Sequence, residues 1–204
     1  MIRNEREYRN LGRFEAEDQT VTGYATTFDT YEQLKDDEVT LYERIERNAF
    51  DDADMSDVIF LRDHEGRVLA RTRNESLALE VDDHGLKIRA NLGLTGASME
   101  MLEDIRAGLY SQMSFAFTVA EDRLDWLDER NAIRIVTRFK KLFDVSAVAF
   151  PANPYTDIGL DARAMLHGAM EQRTAERLEA ERRERERKVL LARIKLMKGD
   201  IHGN

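Results

Sequence analysis

Short apolar segments separated by polar turns recur through most of the chain, and this pattern limits the possible folds more than any other feature. Examples are residues 58–61 (VIFL), 77–81 (LALEV) and 86–92 (LKIRANL). The turns between such segments are polar, and the turn at residues 82–85 (DDHG) includes a glycine. Segments of this kind are typical of antiparallel strands joined by tight turns. The pattern predicts about nine or ten short strands before about residue 155.

One segment differs, because its apolar residues recur at the spacing of a helix. Residues 95–108 (TGASMEMLEDIRAG) place their large apolar side chains on one side. Thr95 or Ser98 can cap the start of this helix, and Gly108 suits its C-terminal end. Many strands with few helices make the predicted fold mainly β with helices, an α+β fold. We expect a closed or nearly closed antiparallel β-barrel with helices packed outside it, and a β-sandwich is the alternative.

The two ends of the chain depart from this pattern. Residues 1–13 are polar, and we expect them to be loosely held. After residue 155 the composition becomes rich in Glu and Arg, and residues 171–188 (EQRTAERLEAERRERERK) contain neither Gly nor Pro. High helix propensity and pairs of opposite charge four residues apart favour a solvated helix there. We therefore predict a domain over residues 1–160 and a charged helical arm over residues 161–204.

Charge and composition argue against several classes of function. The formal net charge of −9 argues against a nucleic-acid partner, since phosphate contacts need a basic surface. The absence of cysteine removes disulfides, thiol catalysis and thiolate metal sites. No apolar run approaches the ~18 residues of a membrane span, and the charged N-terminal segment lacks the apolar core of a secretion signal. The Asp-rich residues 51–57 lack the His–His or His–Glu spacing of a metal site, so we expect no metal and no cofactor.

Residues 108–120 carry a serine in a setting suited to chemistry. The segment alternates like a strand, with Ser114 on the face opposite its large apolar side chains. A serine is a poor nucleophile until a neighbouring base takes its proton, and a neutral imidazole is suited to that task near pH 7. His64 follows a compact apolar strand, and Asp144 lies within another. Nucleophile, base and orienting carboxylate are the parts of a hydrolytic triad, and folding could join these three residues into one.

Each of these residues also has a structural interpretation. A carboxylate buried among apolar neighbours needs a partner, and an arginine such as Arg134 or Arg138 could supply one to Asp144. Ser146 shares the face of Asp144 and could bond to it or to a backbone group. Ser111 is the rival nucleophile. His84 lies in a polar turn, where we expect it to be exposed to solvent.

Three segments, in this order, resemble the tailed-phage prohead proteases of the HK97 type. They are residues 60–64 (FLRDH), 105–117 (IRAGLYSQMSFAF) and 142–154 (LFDVSAVAFPANP). Residues 23–25 (GYA) and 48–50 (NAF) are also similar to parts of the family, and the resemblance spans about residues 15–160. It implies the fold and catalytic layout of the herpesvirus assembly protease, which is a barrel with helices around it.

By this resemblance Ser114 is the nucleophile, His64 is the general base and Asp144 holds the third position, where family members carry an acidic residue. The sequence departs from many relatives at Ala116, where they have a glycine two residues after the serine. The added methyl group is expected to narrow the substrate cleft.

Both prolines of the chain lie in the turn at residues 151–154 (PANP), which makes its backbone stiff. The resemblance places this turn near the site. Backbone N–H groups there, at Ala152 and Asn153, are expected to contribute to an oxyanion hole.

The resemblance implies a serine endopeptidase of capsid maturation. It would cut the scaffolding protein, or the scaffold-like segment of the major capsid protein, inside the prohead in the host bacterial cytoplasm, and would also cut itself. The arm would associate with scaffold helices and carry the enzyme into the shell. By analogy with the herpesvirus enzymes, we expect a homodimer or higher oligomer. The alternative is a catalytically inactive assembly or scaffolding factor.

Overall fold

Ten β-strands and two α-helices make up most of the backbone in the computed structural model, which describes residues 6–35, 37–149 and 160–199. The strands are β1 (Glu7–Glu17), β2 (Thr20–Thr27), β3 (Tyr31–Lys35), β4 (Thr40–Ile45), β5 (Ile59–Arg62), β6 (Glu65–Arg71), β7 (Leu77–Val81), β8 (Gly85–Asn91), β9 (Gln112–Trp126) and β10 (Asn131–Val148). The helices are α1 (Gly96–Arg106) and α2 (Leu160–Gly199). This content confirms the prediction of a mainly β, α+β fold.

The strands follow the order β3-β4-β10-β9-β1-β2-β8-β7, and β5 joins the sheet by pairing with β10 and β6. Within the described parts of the chain, no strand pairing links β7 to β3 or to β6, so the closed barrel is not confirmed. The reason lies between β6 and β7. There the 3₁₀ helix Thr72–Asn74 and the left-handed residue Glu75, with a φ of 62°, turn the chain so that these consecutive strands do not pair.

Strand β10 is the longest, with 18 residues, and it has two partners along one edge. Its first part pairs with β4 and its last part with β5, and both pairings are parallel. The prediction of purely antiparallel pairing is therefore wrong at these two contacts. Strands β4 and β5 follow one another along the same neighbour and run in the same direction, and apolar periodicity does not report strand direction.

The apolar face predicted for β9 is buried, and its phenylalanine rings pack on each other and on Phe139 of β10. The ring centroids of Phe115 and Phe117 lie 4.6 Å apart, and those of Phe117 and Phe139 lie 4.9 Å apart. Burial of each such side chain stabilises the fold by about 1.5–3 kcal/mol. The opposite face of β9 is also shielded from solvent, because Ser114, Ala116 and Thr118 are buried.

Helix α1 ends just before the strand that carries Ser114. The Thr95 side chain caps its start by accepting a hydrogen bond of 3.1 Å from the Ser98 backbone N–H. Gly108, with a φ of 76°, adopts a left-handed conformation just after its C-terminal end. The predicted buried side is also present, as Met101, Leu102 and Ile105 are buried. The helix thus begins and ends where its sequence signals indicated.

The chain divides into two compact units, Met1–Asp157 and Ile158–Asn204. Helix α2 forms the described part of the second unit and contains the segment for which the sequence predicts a solvated helix. Its charged side chains pair along the helix, since Arg183 bonds to Glu179 at 2.7 Å and Lys188 to Glu184 at 2.8 Å. Neither α1 nor α2, as far as the structure describes them, has the length and apolar character needed to cross a bilayer.

Candidate active site

His64 lies in a two-residue turn between β5 and β6. Arg62 pairs with Glu65 across this turn, and the two residues between them have positive φ angles, 47° for Asp63 and 62° for His64. Two successive left-handed residues define a type I′ hairpin turn. Asp and His adopt this conformation more readily than most residues other than glycine. The turn carries the imidazole past the end of β5.

The other two candidate residues lie on the adjacent strands β9 and β10. Ser114 is directly opposite Ser146, and Ala116 is directly opposite Asp144. Because directly opposed residues of an antiparallel pair share a face, these four side chains lie on the face opposite the phenylalanine core. Strand β5 continues this face on the other side of β10, with Leu61 beside Ser146. The turn that follows β5 therefore reaches the serine and the aspartate.

The structure brings the three predicted residues within hydrogen-bonding distance of one another. His64 Nδ1 lies 2.5 Å from Asp144 Oδ1, and His64 Nε2 lies 2.6 Å from Ser114 Oγ. A neutral imidazole that donates from Nδ1 to the carboxylate has an unprotonated Nε2 that can accept the serine proton. The arrangement has the geometry of a nucleophile, a general base and an orienting carboxylate.

A second hydroxyl supports the carboxylate. Ser146 Oγ donates a hydrogen bond of 2.8 Å to Asp144 Oδ1 and lies 3.2 Å from His64 Nδ1. The sequence raised a bond between Ser146 and Asp144 as an alternative to a contact with His64, but the structure contains both bonds. Asp144 Oδ1 thus has two donors, one from the imidazole and one from the hydroxyl.

The site is largely closed to solvent. Ser114 is 1% exposed and Asp144 is 2% exposed, whereas the His64 side chain is 17% exposed. Hydrogen bonds and charge interactions are stronger in such a water-poor environment than at the surface. The imidazole is therefore the most accessible of the three groups.

Tyr8 is a neighbour of the site that the sequence analysis missed. Its ring lies edge-on to the imidazole of His64, with 4.6 Å between the ring centroids. Strand β1 holds it there, because Tyr8 pairs with Ala116 on β9. The expectation that residues 1–13 are loosely held is wrong for Glu7 onward, where β1 begins. Residues 1–5 lie outside the described residues.

The polar residues beside Tyr8 belong to a buried ionic cluster, which consists of Glu7, Arg9, Glu43 and Arg134. Arg9 bonds to Glu43 through Nε at 2.5 Å, and Arg134 bonds to Glu7 at 2.5 Å and to Glu43 at 3.0 Å. Burial alone would raise the pKa of Glu43, but the charges of Arg9 and Arg134 outweigh it and lower that pKa to about 2. The suggestion that Arg134 is the partner of Asp144 is therefore wrong. The same holds for Arg138, which bonds to Glu121.

The remaining candidates fall into three groups. Ser111 is exposed ahead of β9, and His84 is exposed in its turn, as expected. Ala116 is fully buried between Tyr8 and Asp144, its partners in the sheet. The turn at residues 151–154, with Ala152 and Asn153, lies outside the described residues, so its part in an oxyanion hole stays a prediction.

In the described residues, no group of three or more His, Asp or Glu side chains could hold a metal ion.

Comparison with known proteins gives one family. The family model described as caudovirus prohead serine protease matches residues 6–171, which include His64, Ser114 and Asp144. No curated protein and no solved structure matches the chain.

Proposed function

The chain belongs to the caudovirus prohead serine protease family, and from this premise we propose that Ser114, His64 and Asp144 are the catalytic triad of an endopeptidase. Membership of the family indicates a serine protease of phage capsid maturation. The observation that carries the residue assignment is the position of His64, which contacts Asp144 at 2.5 Å and Ser114 at 2.6 Å through its two ring nitrogens.

In the first half of the reaction, Ser114 Oγ attacks the carbonyl carbon of the scissile peptide bond while His64 Nε2 takes the hydroxyl proton. Asp144 stabilises the imidazolium through the bond at Nδ1. The imidazolium then gives its proton to the departing amine, which leaves an ester between Ser114 and the substrate. In the second half, His64 takes a proton from water as it attacks this ester, and the proton returns to Ser114 as the new carboxyl end leaves.

The tetrahedral intermediates carry a negative oxygen that needs donors. We assign this role to backbone N–H groups of residues 151–154, at Ala152 and Asn153, on the basis of the family resemblance. Donors of this kind are typically worth ~3 kcal/mol of barrier each. Ala116 is proposed to narrow the cleft beside Ser114, because its methyl group lies on the same face of β9.

The proposed substrates are the scaffolding protein, or the scaffold-like segment of the major capsid protein, together with the protease itself. Cleavage would take place inside the prohead, in the cytoplasm of the host bacterium, with the enzyme as a homodimer or higher oligomer. We propose residues 1–160 as the protease domain and residues 161–204 as an arm that associates with scaffold helices. Exposed ion pairs along α2 and its exposed Leu178 support such association. A chain that ends at residue 161 and is still packaged normally would contradict the role of the arm.

One observation favours a second function, that of a catalytically inactive assembly factor. Ser114 is only 1% exposed, so a peptide cannot reach its hydroxyl without some movement of its surroundings. In a protein that uses this fold only to bind capsid or scaffold segments, no peptide would have to reach Ser114, so the burial of its hydroxyl would not impair function.

The two functions are separated by Ser114→Ala. The purified full chain is incubated with its capsid or scaffold partner, and the fragments are mapped by mass spectrometry. The triad predicts that Ser114→Ala abolishes cleavage of the partner and of the chain itself while thermal unfolding is unchanged. Ser111→Ala is the matched control, because it removes an exposed hydroxyl three residues away and should cleave normally. Unchanged fragments with Ser114→Ala would refute the enzyme.

A further inference from the structure

Asp63, the first residue of the turn that carries His64, joins three separate segments of the chain. Its backbone N–H donates to the carbonyl oxygen of Ala147 at 3.0 Å. Its carboxylate accepts from the Ala149 backbone N–H through Oδ1 at 3.2 Å and from the Tyr110 hydroxyl through Oδ2 at 3.1 Å. Ala147 lies in β10, and Ala149 is the first residue after that strand. Tyr110 lies in the segment between α1 and β9. Asp63 therefore ties the turn to the end of β10, the strand that bears Asp144, and to the segment that leads into β9, the strand that bears Ser114.

The turn depends on such ties because its left-handed conformation, although more accessible to Asp and His than to most residues, still costs energy for any residue other than glycine. Both Asp63 and His64 have left-handed backbone angles, and neither is a glycine. Residues held in this region persist only where the surrounding structure fixes them. A hairpin tip is otherwise among the more mobile parts of a sheet, and the imidazole of His64 must match two partners at once.

Tyr110 is suited to be the donor in this arrangement. Burial raises the pKa of its hydroxyl, and the nearby charge of Asp63 raises that pKa further. The phenol therefore keeps its proton across the neutral range and can donate to the carboxylate.

We infer that Asp63 is a positioning residue for the general base, with its carboxylate fastening the His64 turn to Ala149 and Tyr110. This inference rests on the proposed function, since the base it positions is the one assigned there. Asp63 acts through His64 and does not touch the reacting atoms. Its loss should lower kcat by about 10–100-fold, because small displacements of a catalytic group have effects of that size, while KM stays within about threefold.

Three substitutions of Asp63 distinguish the effect of its carboxylate from the effect of the turn's backbone conformation, and one substitution of Tyr110 tests a single partner. Asp63→Ala removes the side-chain bonds to Ala149 and Tyr110. It also places at this position a residue that adopts positive φ less readily than Asp does. Asp63→Gly allows the turn but has no side chain, so it should be as slow as Asp63→Ala. Asp63→Asn keeps a side-chain oxygen that can accept from Ala149 or Tyr110, and it should recover most of kcat. Tyr110→Phe removes one of the two side-chain bonds and should cost only a few fold in kcat.

Asp82 provides a matched control. It also lies in a turn between two strands, and it accepts from the Tyr24 hydroxyl at 2.6 Å and from the His84 backbone N–H at 2.7 Å. Asp82→Ala thus removes the same kind of carboxylate without touching the triad. It should leave kcat unchanged, and thermal unfolding of all variants reports any general loss of stability.

A second measurement does not depend on activity. In full-length protein labelled with ¹⁵N-histidine, His64→Gln identifies the imidazole signals of His64, and the proton bonded between Nδ1 and Asp144 should be visible in the wild type. Asp63→Ala and Asp63→Gly should broaden or remove that signal, whereas Asp63→Asn and Asp82→Ala should keep it. If the wild type shows no cleavage that depends on Ser114, the proposed function fails and this measurement still decides the role of Asp63.

Two results would overturn the inference that the Asp63 carboxylate positions the general base. One is a wild-type His64 signal in both Asp63→Ala and Asp63→Gly. The other is full kcat in Asp63→Gly together with a loss in Asp63→Ala, which would mean that the backbone conformation alone positions the base.

Discussion

The ring of Tyr8 lies edge-on against the imidazole of His64, with 4.6 Å between the ring centroids. An edge-to-face aromatic contact contributes about 0.5–1.5 kcal/mol beyond the area it buries, and here it restricts the orientation of the proposed base. Tyr8→Ala should therefore lower kcat/KM by up to about tenfold. Tyr8→Phe keeps the ring and should cleave at close to the wild-type rate. Steady-state kinetics on a peptide that spans a mapped cleavage site would measure both. Faster cleavage by Tyr8→Ala would instead show that Tyr8 obstructs the site.

Ser146→Ala tests the second donor to Asp144, the proposed orienting carboxylate. The substitution removes the hydrogen bond to Asp144 Oδ1 but leaves the bond from His64 in place. Since a hydrogen bond to a charged group is worth about 1.5–3 kcal/mol, we expect kcat to fall by about 10- to 150-fold, without loss of all activity. Single-turnover cleavage under identical conditions compares it with Ser114→Ala. Complete loss of cleavage in Ser146→Ala together with normal cleavage by Ser114→Ala would identify Ser146, and not Ser114, as the nucleophile.

Asp144→Asn keeps the size of the side chain and removes its charge. The imidazolium would then lack its stabilising partner, and the amide could hold the ring in the wrong tautomer. In serine proteases with this arrangement such a change lowers kcat about 10⁴-fold, and we expect a loss of similar order here. Thermal unfolding should show that the variant is still folded. A loss smaller than about tenfold would mean that Asp144 is not the orienting carboxylate.

Acid should destabilise the fold through Glu43. The pKa of this buried carboxyl in the folded protein is about 2, lowered from 4.5. A lowered folded pKa means that the unfolded chain binds the proton more tightly. The contribution of Glu43 to stability is therefore complete above pH 4.5 and disappears as the pH falls towards about 2. Urea unfolding at a series of pH values would reveal this loss.

Glu43→Gln tests the contribution of the same carboxylate to stability by substitution. It leaves the guanidinium groups of Arg9 and Arg134 buried with less opposing charge, and it should cost about 3–5 kcal/mol of unfolding free energy at pH 7. Its stability should also change less with pH between 4.5 and 2 than that of the wild type. Glu80→Gln, at an exposed position on β7, serves as the control and should be close to neutral. Equal stability of the two variants at pH 7 would contradict the role of the cluster.

The features that the sequence predicted are local ones. The alternation of residues 108–120 put Ser114 opposite the phenylalanines, and the helix signals at Thr95 and Gly108 were placed correctly. Short apolar strands with polar turns gave the fold class. In each case the signal lies within a few residues and depends on which side chains can be buried together.

The features that were missed depend on distant partners. Strand β1 looked unsuited to a core because Glu7 and Arg9 are charged, and only Glu43 and Arg134, far along the chain, make their burial favourable. Because Arg134 bonds within this cluster, it is not the partner of Asp144. The direction of β4 and β5 beside β10 is also a property of the whole sheet, which no single segment encodes.

The pairing of β9 with β10 contains irregularities between Val136 and Asp144, after which the two strands stay in step as far as Ser114. Beyond the last irregularity, the even-numbered residues of both strands face one side of the sheet and the odd-numbered residues face the other. Lengthening the hairpin tip at residues 127–130 would leave this parity intact. One extra residue between Ala116 and Ser114, by contrast, would turn the hydroxyl in among the aromatic rings. Such a chain would keep all three proposed catalytic side chains, and we still expect it not to cut.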